Sequence, residues 1–256
     1  MNTKNLYIST TASDAYDIAQ KYGLGIEIAD FCTAWNIDDD FEKTDRELRL
    51  KLDGIEKTLL HAPFNELFPC AIDKKARNLA ASRYRQAIAL AGQYGASKVI
   101  IHGGYNPYIY YPEWYVEQSV LFWKEFIGEL SESVCIALEN TLEETPDLLL
   151  NIVKGVNDPR LKICLDIGHA NVYSENTALE WVEQCRDFIC HFHIHNNDGT
   201  RDSHNGLEEG SIPMKELLEL TEKLCPDASY TIETMSALES VLWIMNTNDL
   251  QTHTVI

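Results

Sequence analysis

Eight short runs of β-branched and apolar residues recur along the chain, each separated from the next by a stretch with helical character, and few folds accommodate that alternation. The runs are residues 6–10 (LYIST), 25–29 (GIEIA), 57–61 (KTLLH), 98–102 (KVIIH), 135–139 (CIALE), 161–166 (LKICLD), 188–193 (FICHFH) and 229–233 (SYTIE). Helix-boundary signals lie between them: Ser13-Asp14 ahead of AYDIAQKYG, Asp73 ahead of KKARNLAASRYRQAIALAGQYG, and Thr145-Pro146-Asp147 ahead of LLLNIVKG, where proline suits a first turn. Gly23, Gly95 and Gly155 stand where helices should stop. Strands joined through helices run parallel, and closing them into a ring gathers every strand end at one mouth. The expected fold is α/β, a (β/α)8 TIM barrel formed by residues 1–256 as a single domain, a length ordinary for that fold. An open doubly wound sheet is the competitor, but the GxGxxG phosphate-binding turn it would carry is missing.

The C-terminal ends of barrel strands form the active-site mouth, and there the sequence places His61, His102, Glu139, Asp166, His169, His193, Asp202, His204 and Glu233, all of metal-ligand type. Run five closes an apolar stretch with Glu139, and run eight does the same with Glu233. A solvated strand end is the bland alternative for each. In CLDIGHAN, Asp166 can ligate a metal while His169, carried past Gly168, faces the same pocket. His191, His193 and His195 alternate and so project toward one face. Not all three can be ligands, and a hydrogen-bonded buried histidine is an equal alternative for any one. Carboxylates at 139, 166, 202 and 233 gathered at one mouth would repel strongly unless cations neutralise them. Mixed His, Asp and Glu donors without cysteine suit Zn, Mn, Co or Fe, and an oxygen-rich subset suits Mg or Mn.

Charge narrows the partners. With 40 acidic against 21 basic residues, a net charge of −19 opposes polyanions, so no nucleic-acid partner is expected. The basic cluster Lys74, Lys75, Arg77, Arg83 and Arg85 falls on a long helix, which in a barrel is outer wall. No apolar stretch reaches membrane-spanning length, and MNTKNLYIST carries neither a basic nor a long apolar leader region, so a cytoplasmic protein without a membrane partner is expected. Seven cysteines without a CxxC pair argue against a disulfide framework or a cysteine zinc site.

The segments LHAPF (60–64), IIHGG (100–104), LENT (138–141), CLDIGHAN (164–171), HFHIHNNDG (191–199) with DSH (202–204), and TIET (231–234) resemble the xylose isomerase-like TIM-barrel superfamily. That superfamily includes sugar isomerases and epimerases and endonuclease IV type enzymes. The resemblance to sugar epimerases implies one metal on Glu139, Asp166, His193 and Glu233. His169 then contacts substrate, and His61, His102, His195 and Tyr105 are further substrate-facing candidates. The resemblance to endonuclease IV implies up to three zinc ions, with His61, His102, His169, Asp202 and His204 as additional ligands. His195 competes with His193 as the ligand, and Asn196 stands where relatives often carry Asp. The loop from Tyr105 to Tyr115 is crowded with aromatics suited to the apolar face of a sugar or to packing as a lid, while Asp38, Asp39, Asp40 and Glu42 form an acidic wall that duplex DNA would avoid. The expected protein is a divalent-metal-dependent (Zn, Mn, Mg or Co) isomerase or epimerase of a small sugar or sugar phosphate, with Glu139 and Glu233 exchanging a proton through an enediolate. The alternatives are a phosphoester hydrolase with two or three zinc ions, a metal-dependent dehydratase, and a non-catalytic sugar-binding barrel.

Overall fold

The computed structural model describes residues 3–130 and 134–252. Its centre is a closed parallel barrel in the order β1 (Leu6–Ser9), β2 (Gly25–Ile28), β3 (Thr58–His61), β4 (Val99–His102), β5 (Ile136–Glu139), β6 (Leu161–Asp166), β7 (Ile189–Ile194) and β8 (Ser229–Ile232), with β8 pairing back onto β1. Each strand lies within one residue of its expected run. His61, His102, Glu139 and Asp166 are therefore the last residues of their strands, and Glu233 follows β8 directly.

The helices are α1 (Ala15–Tyr22), α2 (Ala34–Asp38), α3 (Phe41–Lys51), α4 (Lys74–Tyr94), α5 (Pro112–Gly128), α6 (Pro146–Val156), α7 (Ile167–Tyr173), α8 (Ala178–Cys185), α9 (Met214–Leu224) and α10 (Leu238–Thr252). Among the described residues, no helix is long and apolar enough to cross a membrane. Helix α4 begins where expected, the Asp73 carboxylate accepting a hydrogen bond from the Lys75 amide at 2.7 Å, and ends at Gly95 in the left-handed region. Helix α6 buries Leu148, Leu149, Ile152, Val153 and Val156, the helical repeat of an apolar stripe.

Two expected signals work differently. Gly155 lies inside α6, whose left-handed cap is Asn157 at φ 56°. A Cβ on Gly155 would stand 2.7 Å from Val120, so the glycine serves close packing of α6 on α5. Asp14 precedes α1 without capping it, and its carboxylate instead accepts from the amides of Ala237 and Leu238 at 2.7 and 3.1 Å. The residue that reads as a local cap thus anchors the start of α10.

The main core lies between barrel and helices, and a second cluster of Tyr7, Leu59, Ile100, Ala137 and Cys164 fills part of the barrel interior. Gly25 admits Tyr7 there, since a Cβ at 25 would stand 2.2 Å from its ring. Where β6 meets β7 the register shifts: Ile163 pairs Ile189 and Cys164 pairs His191, leaving Cys190 as the extra residue of a bulge. Beyond the bulge, His191 and His193 both reach Glu27 on β2 across the interior.

Candidate metal centre

At the C-terminal mouth the strand ends bring their polar side chains into one cluster, with Glu139 at its middle. One Glu139 oxygen, Oε2, lies 3.1 Å from His61 Nε2 and 3.4 Å from His102 Nε2, while Oε1 lies 3.3 Å from His193 Nδ1 and 3.4 Å from His169 Nδ1. His193 Nδ1 also stands 3.1 Å from Glu233 Oε2 and 3.7 Å from Asp166 Oδ2. On the far side, Asp202 Oδ2 lies 3.2 Å from His169 Nε2 and 2.9 Å from His204 Nε2. Potential ligand atoms of His61, His102 and Glu139 fall within 4.8 Å of one another, as do those of His169, Asp202 and His204. All nine strand-end candidates therefore meet.

The second nitrogen of each histidine tells which atom is presented. Nδ1 of His61, His169 and His204 reaches the backbone carbonyls of Ala62, Asn140 and Glu233 at 2.9, 2.9 and 2.7 Å, which leaves each Nε2 facing a carboxylate. In His193 the roles reverse: Nε2 donates to Glu27 Oε1 at 2.9 Å and Nδ1 points into the cluster. His195 also approaches Asp166, with Nε2 at 3.1 Å, but its Nδ1 has no hydrogen-bond partner among the described residues. A ligating imidazole is normally held through its other nitrogen, so this arrangement favours His193 over His195 as a donor.

Buried polar atoms without partners mark the cluster. His193 Nδ1 and Asp202 Oδ1 are buried and have no hydrogen-bond partner of good geometry among the described residues, although both face this cluster. Carboxylates and imidazoles crowded this closely need either shared protons or a cation between them, and the His, Asp and Glu donors suit a divalent metal. Electrostatics agree. Burial alone would raise the carboxylates, yet neighbouring imidazoles hold Glu139 well below the usual range and Asp166 down to about 2. Burial alone would lower the imidazoles, yet the surrounding carboxylates hold His169 and His193 well above theirs and lift His204 to about 9. His102, buried and beside His61 and His169, falls to about 4.

The fold holds these groups rigidly. Asn140 ties β5 to β6 by donating to the Asp166 carbonyl and accepting from its amide, at 2.9 and 2.8 Å. Asp166 Oδ1 accepts from the His169 amide at 2.7 Å as the N-cap of α7. Asn196 organises the loop after β7, accepting from the Ile212 amide and donating to the Leu207 carbonyl at 3.1 and 2.8 Å.

Tyr105 does not join the cluster's hydrogen bonds. It is buried against Tyr115, ring centroids 4.8 Å apart, and Tyr110 and Tyr115 are buried with it, whereas Tyr108 and Tyr111 project outward, 94% and 82% exposed. The packing role accounts for the first three. The acidic wall is partly neutralised, because Asp38 pairs with Arg83 of α4 at 2.5 Å. Two nearby residues do not stand out in the sequence. Glu27 is fully buried beneath the cluster beside His191, and Phe64 stacks on His102 at 4.4 Å. A lone carboxylate inside the apolar run GIEIA is the available signal for Glu27.

With fold and centre in view, the chain is a member of the xylose isomerase-like TIM barrel family, whose pattern matches residues 17–241. It is similar to the uncharacterized protein MJ1311 of Methanocaldococcus jannaschii, 32% identical over 196 residues that cover 72% of this chain and 66%, just under two thirds, of that relative. Among solved structures it is similar to a D-tagatose 3-epimerase-like protein, 25% identical with a TM-score of 0.81, covering 98% of this chain and all of that one. The protein TTHB071 of Thermus thermophilus, soaked with ZnCl2, shares the fold with 22% identity and a TM-score of 0.77, over 95% of this chain and 97% of its own.

Proposed function

We propose that the chain is a divalent-metal-dependent isomerase or epimerase of a small sugar or sugar phosphate. The observation that carries this reading is the approach of two carboxylates, Glu139 from β5 and Glu233 after β8, to the same atom, His193 Nδ1, at 3.3 and 3.1 Å. Its full-length likeness to the D-tagatose 3-epimerase-like protein supports the substrate class. Glu139, Asp166, His193 and Glu233 would hold the metal, which when bound supplies Lewis acidity toward a carbonyl and its neighbouring hydroxyl. Glu233, with 12% of its side chain exposed against 1% for Glu139, is the carboxylate more open to the mouth. One of the pair takes the proton from the acidified carbon and the other returns it, passing through an enediolate. His102 and His169, each partly exposed, offer hydrogen bonds to sugar hydroxyls, and Phe64 offers an apolar face. All seven cysteines are free thiols, which suits a reducing cytoplasm.

A specific observation favours a second reading. The groups His61, His102, Glu139 and His169, Asp202, His204 could each hold a further ion, the requirement of a phosphoester hydrolase with two or three zinc ions. Elemental analysis of metal-loaded protein and a screen of ketoses and ketose phosphates for deuterium uptake from solvent separate the two. One ion per chain with carbon-bound exchange is expected. Three ions with cleavage of abasic duplex, against the repulsion expected from a net charge of −19, would replace the first reading with the second.

A further inference from the structure

A continuous line of hydrogen bonds runs beneath the candidate metal centre, and its direction is fixed by the carboxylate at its upper end, which can only accept. Lys98 Nζ lies 2.8 Å from Ser229 Oγ, and an ammonium can only donate. The Ser229 oxygen accepts that bond and spends its own hydrogen on His191 Nδ1, 2.7 Å away. Glu27 Oε2 can only accept, so His191 carries its hydrogen on Nε2, 3.1 Å from that oxygen and 2.9 Å from Thr231 Oγ1, while the Thr231 hydroxyl donates to the same carboxylate oxygen at 2.6 Å. Glu27 Oε1 remains, and it takes the hydrogen of His193 Nε2 at 2.9 Å. Glu27, His191 and His193 are each fully buried, away from bulk solvent.

The hydrogens of His191 Nε2, Thr231 Oγ1 and His193 Nε2 all end on this one carboxylate. We propose that Glu27 is a positioning residue: by holding the Nε2 hydrogen of His193 it reserves Nδ1 as the metal-facing lone pair, and so sets the affinity of the centre. The inference rests on the assignment of His193 as a ligand. His61, His169 and His204 are oriented by backbone carbonyls, which no substitution removes, whereas His193 depends on a side chain from the opposite wall of the barrel. As a fold element Glu27 is a poor choice, because an apolar residue of similar volume avoids burying a charge.

Glu27→Gln keeps the volume but removes the charge and one acceptor oxygen; His191 Nε2 retains Thr231 Oγ1 at 2.9 Å, and His193 Nε2 is left with a neutral, weaker acceptor in place of the carboxylate. Glu27→Asp keeps the charge but withdraws it by one methylene. Zinc dissociation constants from chelator competition should rise about 10-fold to 100-fold in both. In zinc-loaded wild-type protein, long-range proton–nitrogen correlation spectra should identify His193 as an Nδ1 ligand with a protonated Nε2, and that signature should be lost or heterogeneous in the variants. Far-UV circular dichroism of the metal-free variants should match wild type and their melting should stay cooperative, at a midpoint lowered by the weakened buried hydrogen bonds. If wild-type protein binds no zinc through His193, the metal-centre assignment fails. If wild type binds while both variants retain its affinity and its Nδ1 signature, the role of Glu27 is overturned. Loss of the metal-free fold in both variants overturns it as well, since Glu27 would then serve the barrel rather than the ligand.

Discussion

Replacing Gly168 by alanine should injure the candidate centre through contact alone. Gly168 is the second residue of α7, between Asp166 and His169. A Cβ there would sit 1.9 Å from Cε1 of His195 and 2.5 Å from both ring nitrogens. The imidazole must therefore retreat by roughly 1.5 Å to regain ordinary van der Waals separation. It has little room: its ring stacks on His204 at 4.0 Å, and its Nε2 lies 3.1 Å from Asp166 Oδ1. Retreat stretches the Asp166 contact and presses His204, whose Nε2 is 2.9 Å from Asp202. Overpacking of this kind costs about 1–3 kcal/mol. At about 2–4 °C per kcal/mol for a chain near this size, the metal-free melting temperature should fall by roughly 2–12 °C. Displacement of donors by about 1 Å should cost turnover on the order of 10²-fold once a substrate is in hand. Gly92→Ala supplies the contrast, since a Cβ on that exposed α4 glycine meets nothing within 4 Å and should stabilise by about 0.5–1 kcal/mol. Differential scanning calorimetry with chelator competition reads both variants. A Gly168→Ala protein with wild-type melting temperature and metal affinity would refute the steric argument.

Glu233→Gln keeps size and one ligand oxygen but removes the base, so turnover should fall about 10²-fold to 10⁴-fold even at saturating metal, and solvent deuterium exchange should fall with it; near wild-type exchange would leave Glu233 as a ligand only. Metal-free stability should also depend on pH in a definite sense. His169, His193 and His204 have raised values in the fold, so their contribution is full below about 6.5 and is lost on the alkaline side, for His204 as pH passes about 9. Glu139 and Asp166 have depressed values, so theirs is present above about 4 and is lost as pH falls, for Asp166 toward about 2. Urea melts across pH check this, and flat stability above neutrality would contradict it. Metal binding should displace imidazole protons, read by titration calorimetry in buffers of different ionisation enthalpy; binding heats independent of buffer would argue against protonated histidines in the metal-free centre.

The barrel was legible because parallel strands buried on both faces leave near-continuous apolar runs, and the strand-end polar residues broke those runs visibly at Glu139, Asp166 and Glu233. Contacts made across the interior left no such mark. Glu27 meets His191 and His193 over 164 and 166 residues of sequence, and one carboxylate within GIEIA does not say which face it occupies. His191, His193 and His195 alternate equally in the sequence, and only the anchoring of the second nitrogen separates them. Gly155 and Asp14 carried ordinary helix-boundary chemistry, but close helix packing and the docking of α10 use that same chemistry. Tyr105 belonged to a loop whose composition suits both stacking and packing, and burial against Tyr115 follows from the loop's own path.

The pairing of β8 with β1 also sets an order of events during synthesis. A ribosome delivers Glu27 first, then His61, His102, Glu139, Asp166 and His193, and the strand that precedes Glu233 last. Until residues 229–233 emerge, the sheet has two open edges and the gathered carboxylates lack both their last member and the enclosure that desolvates them. A metal held by this set would thus meet all of its ligands only once the final strand docks. Docking of β8 is therefore what brings Glu233 to the residues already carried by β3 to β7.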